Sequence, residues 1–139
     1  VQKLKTLFNM LNDIEKKIRE KLIEIAQKQT NITYQKLSDE CKLGLDMSNP
    51  DHNNQLAHML GNISVDEYFN GRGMLSAVVF RSDTNMPGEG FFNLAKELGK
   101  LKTSAKEKDK LDFFVSELKE LYAFWKKRPS PTSKTNSLP

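Results

Sequence analysis

The chain has 139 residues, 37% hydrophobic and 29% charged, a balance too apolar for a disordered polymer and sufficient for one hydrophobic core rather than two. Its formal net charge of +4 is a mild excess that favours phosphate-bearing partners without requiring them. No apolar run nears the roughly 20 residues that span a bilayer, no signal-peptide pattern is read in Val1 to Thr6, and the lone Cys41 excludes an internal disulfide or a multi-cysteine metal site, so a soluble cytoplasmic protein is expected.

Apolar residues at Leu4, Leu7, Phe8, Leu11, Ile14, Ile18, Leu22 and Ile25 follow the three-and-four spacing of a long amphipathic helix. Lys16, Lys17, Arg19, Glu20 and Lys21 fall on its outer face. After Asn31, Thr33 is placed to cap a brief helix whose inner side is Leu37 and Cys41. Gly44 and the polar run Asp46 to Asn49 end that helix, and Pro50 suits the first position of a third, with Leu56, Met59, Leu60 and Ile63 as its buried stripe. Ser64-Val65-Asp66-Glu67 has the form of a capping box and predicts a fresh short helix to about Phe69, closed by Asn70-Gly71.

Met74 to Phe80, bounded by glycine and rich in strand-formers at its end, is the best strand. The turn-rich stretch Arg81 to Gly90 leads into a helical stripe of Phe91, Phe92, Leu94, Ala95 and Leu98 that stops at Gly99. A polar linker, Lys100 to Lys110, precedes a last amphipathic helix marked by Leu111, Phe114, Val115, Leu118, Leu121, Tyr122 and Trp125. The expected fold is mainly α with an α+β element: a helical bundle with a small β-hairpin and a winged-helix-like centre over residues 30–99, framed by helices in 1–29 and 105–127 and followed by a disordered tail, 129–139.

Little in this pattern carries catalysis. The two histidines, His52 and His58, lie six apart, outside the three-or-four spacing that shares a helix face, and no hydroxyl or thiol partner is marked for either. Asp66 and Glu67 diverge by about 100° on a helix, which favours the capping role for Glu67, and Glu117-Leu118-Lys119 reads as a solvated face. No catalytic residue, metal site or cofactor is therefore expected. Gly71-Arg72-Gly73 and Pro87-Gly88-Glu89-Gly90 could bring backbone amides close to an anion, although Glu89 would repel one, and tight turns explain both. Arg72, Arg81, Lys96 and Lys100 form a candidate basic patch for a nucleic-acid backbone.

The element order resembles a winged helix-turn-helix. Within it, Ile32-Thr33-Tyr34-Gln35-Lys36-Leu37-Ser38 is similar to the Tyr-Gly-x-Ile/Leu-Ala opening of the alkyltransferase-like DNA-binding proteins, with Gln55-Leu56-Ala57-His58-Met59-Leu60 at the recognition-helix position. The reactive Pro-Cys-His-Arg sequence of the alkyltransferases is absent, and Leu75-Ser76-Ala77-Val78-Val79-Phe80 stands in its place, so the resemblance implies DNA binding without alkyl transfer. It further implies Asn53, Asn54, Gln55 and His58 as base readers in the major groove and Arg81 on phosphate from the wing. The alternative is a protein-interaction or accessory subunit whose terminal helices form a homodimer or dock on a partner through the stripe from Phe113 to Trp125.

Overall fold

The computed structural model describes residues 10–126 and residue 128; the first nine residues of the expected N-terminal helix and the expected disordered tail lie outside them. The described chain is mainly helical. Helix α1 (Asp13–Gln27) opens on a capping box, in which the Asn12 side chain accepts from the Glu15 N–H and the Glu15 carboxylate accepts from the Asn12 N–H, so it starts later than the apolar stripe predicts. Strand β1 (Ile32–Thr33) runs into α2 (Tyr34–Glu40), which Thr33 caps as expected. Asn49 caps α3 (Pro50–Phe69), with Pro50 in its first turn. A 3-10 turn (Leu75–Val78), strand β2 (Val79–Phe80), α4 (Glu89–Glu97) and α5 (Glu107–Lys126) complete the order.

One apolar cluster unites these elements: Ile18, Leu22 and Ala26 of α1, Leu56, Leu60 and Ile63 of α3, Phe91 and Ala95 of α4, and Leu121 and Trp125 of α5 close around Met74 to Val79. No helix among the described residues is long and apolar enough to cross a membrane.

Three sequence expectations are corrected. The capping box at Ser64 does not start a helix: α3 continues to Phe69, because Ser64 points inward and its Oγ engages the Ser76 hydroxyl at 2.7 Å and the Ser76 N–H at 3.2 Å. The helix ends at Phe69 and is closed at Gly71 as expected, where a φ of +75° permits a Schellman closure with Gly71 N–H on the Tyr68 carbonyl and Arg72 N–H on that of Glu67.

Second, most of the expected strand is the 3-10 turn, since side chains take over the role of a ladder: the Glu117 carboxylate accepts from Met74 N–H at 2.8 Å and Ser64 from Ser76 N–H. Third, the expected hairpin is a two-stranded parallel pairing of Ile32 with Val79 and Thr33 with Phe80, crossed over by α2 and α3. A returning strand is pre-empted beyond Phe80. The loop closes on itself through Arg81 N–H to the Met86 carbonyl and Asn85 N–H to the Arg81 carbonyl, and Pro87-Gly88 then leads straight into α4.

The segment between α3 and β2 is held by buried charge as well as by apolar contact. Glu67 is fully buried and takes Arg19 Nε and Arg72 Nε, each at 2.6 Å. Glu117, also buried, pairs with Lys100 Nζ at 2.8 Å, and Glu15 accepts from Asn62 Nδ2 at 2.7 Å. Neither Glu67 nor Glu117 has the role its sequence pattern suggested; both are internal anchors reached from elements distant in the chain.

Candidate functional site

A cleft of about 250 Å³ opens between the N-terminal half of α3, the loop 81–88 and the first turn of α4. Its inner lining is Leu60, Gly61, Phe91 and Leu94, together with Ser76 of the 3-10 turn, with the exposed Ala57 at its edge. Its rim carries Tyr34 at the start of α2, Asn53 and Asn54 on α3, Arg81, and Glu89. A second depression shares Tyr34, Asn53 and Arg81 with the cleft and is bordered by Gln35, Met47 and Phe80.

Each rim group is positioned by local chemistry. Tyr34 stands where β1 passes into α2, and its hydroxyl accepts from the Gly88 N–H at 2.8 Å, pinning the end of the loop and the start of α4 to the start of α2. A β-carbon on Gly88 would sit 3.2 Å from that hydroxyl, which explains a residue without one at this N-cap. Burial pushes the Tyr34 phenol above its usual range, partly offset by the Gly88 N–H and by Arg81. The unfolded chain therefore releases this proton first, and stability should fall as pH rises through about 10. Tyr34→Phe should reduce that alkaline loss, leaving the contribution of Tyr122, whose phenol burial also raises. At neutral pH the same variant should cost about 1–3 kcal/mol in urea unfolding, because it leaves a half-buried N–H without its acceptor.

The rim charges are internally matched. Arg81 makes a bidentate pair with Asp83, at 3.0 and 2.9 Å, which holds the Asp83 carboxyl below the usual range and the guanidinium above it. Glu89 is paired with Lys110 of α5 at 2.9 Å. The amides are different. Among the described residues Gln35, Asn49 and Asn62 hydrogen-bond to protein groups, whereas the side chains of Asn53, Asn54 and Gln55 have no internal partner. Gln55 and His58 are exposed on α3 beyond the cleft, with His58 Nε2 3.4 Å from Asn62 Nδ2.

Of the residues expected from sequence, Asn53, Asn54 and Arg81 thus come together, with Gln55 and His58 beside them. The proposed basic patch does not form as one face. Arg72 is tied to Glu67 and Lys100 to Glu117, both near the C-terminal end of α3, and Asn53 precedes Glu67 by fourteen residues, about 21 Å of helix. Lys96 lies half-buried in the last turn of α4, where it complements the helix dipole. Sequence reading missed Tyr34, Gly61 and Ser76 as parts of a site.

His52 is structural, since its Nδ1 accepts from the Asp46 N–H at 2.9 Å and braces the loop before α3. No group of His, Cys, Asp and Glu among the described residues is arranged to hold a metal ion. Compared with protein-family models, curated proteins and solved structures, the chain has no match in any of the three.

Proposed function

We propose that this is a nucleic-acid-binding protein without catalytic activity of its own, which contacts DNA through the N-terminal half of α3 in the manner of a winged helix whose wing is reduced to the loop 81–88. The observation that carries the reading is the run Asn53-Asn54-Gln55: three successive side-chain amides, free of internal hydrogen bonds, on the first turns of a 20-residue helix. An amide offers a donor and an acceptor side by side, the pattern that matches the N6/N7 edge of adenine in the major groove. Helix α2 leads into α3 through nine residues, longer than the three or four of a compact helix-turn-helix, and Arg81 flanks the amides from the loop. With Arg81 chelated by Asp83 and the net charge only +4, phosphate attraction contributes modestly, so base-edge contacts carry most of the discrimination.

Fluorescence polarisation with duplex and single-stranded DNA across a salt series tests this. Asn54→Ala and Gln55→Ala should each weaken duplex binding by about 1–3 kcal/mol per lost bidentate contact, and Arg81→Ala should lower the salt slope by less than the roughly 1 of a free phosphate contact, because Asp83 already pairs with the guanidinium. Absence of duplex binding at low salt overturns the reading. Arg72→Ala is unsuitable as a probe, because it disturbs the buried Glu67 pairing instead of a surface contact.

A further inference from the structure

Two glycines in the cleft are not explained by the backbone. Gly61 lies in the middle of α3 and Gly90 in the first turn of α4, neither at a positive φ. A β-carbon on Gly61 would meet only Leu94 Cδ2, at 4.0 Å, an ordinary contact, and one on Gly90 would meet nothing. Alanine in place of a helix-interior glycine is ordinarily stabilising by up to about 1 kcal/mol, so the fold itself does not ask for glycine at 61. What the missing side chains do is keep the space between α3 and α4 open.

The groups around that space select the chemistry of an occupant. The walls from Leu60, Phe91 and Leu94 are apolar, and the backbone of Gly61 lets a flat body lie close. At the rim, the Asn53 and Asn54 amides are without internal partners, and the Tyr34 hydroxyl, which accepts from Gly88, still has its own proton to donate. The two charges at the rim, Arg81 and Glu89, are neutralised by Asp83 and Lys110. An anion would have to displace Asp83 from Arg81 and a cation would have to displace Lys110 from Glu89, whereas a neutral group with adjacent donor and acceptor answers the amides and the phenol without breaking either pair.

We infer that the cleft between α3 and α4 is a binding site for a small, uncharged, planar ligand with an amide- or lactam-type edge, seated on Gly61 with its polar edge toward Asn53, Asn54 and Tyr34. Asn53 and Asn54 are shared with the proposed DNA-contacting surface, but Gln55 and His58 lie outside the cleft, so a variant that fills the cleft leaves those two in place and the two readings can fail separately.

Three probes of nearly one shape separate the charge classes: benzamide, benzoate and benzamidine, titrated into the full ¹⁵N-labelled chain and followed by amide chemical shifts. Benzamide should give saturable shifts at Gly61, Gly90 and the Asn53 and Asn54 side chains with a millimolar Kd, and the two charged probes should bind at least tenfold more weakly. Gly61→Leu, which projects a side chain into the cleft, should abolish the benzamide shifts; Gly61→Ala tests whether position 61 tolerates a side chain without loss of fold. Charged probes binding as well as benzamide would overturn the assigned ligand class. Shifts that do not saturate, or that persist in folded Gly61→Leu, would overturn the site. Loss of benzamide binding in Gly61→Leu with duplex binding retained would separate this site from the α3 surface.

Discussion

Glu67→Ala should destabilise the protein by about 3–5 kcal/mol in urea unfolding at neutral pH, toward the lower end of that range. The carboxylate is fully buried and is the shared acceptor for Arg19 of α1 and Arg72 of the loop after α3, so truncation removes one charge and strands two. Both guanidiniums retain about a quarter of their side-chain exposure and recover some water, which is why the larger figures for fully enclosed ions do not apply. Against a total stability of about 5–15 kcal/mol, even the smaller loss is a large fraction. Replacing the whole triad by apolar residues of similar length, Arg19→Met with Glu67→Leu and Arg72→Met, should recover most of it, because no uncompensated charge is left behind. If Glu67→Ala unfolds at the wild-type urea concentration, the network is not an anchor and the path of the 72–74 segment must be set by apolar contacts and by the Met74 N–H bond to Glu117.

The same triad shows what a sequence pattern can and cannot reveal. Several helix boundaries with a local cause were legible: Thr33 caps within three residues, Pro50 marks a first turn, and Gly71 and Gly99 close helices at positive φ, whereas the equally local caps at Asn12 and Asn49 were not singled out. Ser64 and Glu67 have the spacing of a local capping box, yet their partners are Ser76 and Arg19, and the long-range hydrogen bonds override the local signal. The strand reading of Met74 to Phe80 failed for a related reason: β-formers there are buried by α1, α3 and α5, and side-chain acceptors on Glu117 and Ser64 satisfy the backbone instead of a neighbouring strand.

For the cleft, the sequence offered half the signal. Asn53, Asn54 and Arg81 were marked by residue type, but Tyr34 was read as part of a lead-in to α2 and of the alkyltransferase-like opening, with no site role, and its contact with Gly88 spans 54 positions. Gly61 was the available clue, a helix-interior glycine inside an otherwise regular apolar stripe.

Trp125→Ala should cost about 3–5 kcal/mol, the usual range for deleting a large aromatic from a core, and Trp125→Phe should cost less than about 1.5. The alternative that α5 offers its Phe/Leu/Trp stripe to a partner requires that stripe to be free, but Phe114, Leu121 and Trp125 all face inward, and Trp125 is only 6% exposed, between Phe124 and the Arg19 guanidinium. The outer side of α5 carries only Leu111 and Val115 as markedly exposed large apolar residues. The contrast between the two substitutions follows from the indole N–H, which is buried with no hydrogen-bond partner among the described residues. Phenylalanine retains most of the apolar contact and removes that unpaired donor, offsetting the lost area, whereas alanine removes the contact and leaves a cavity. Circular dichroism must follow these melts, since Trp125 is the only tryptophan. A Trp125→Ala chain as stable as wild type would return α5 to the role of a docking face; a Trp125→Phe chain as damaged as Trp125→Ala would mean that the indole N–H has an acceptor after all.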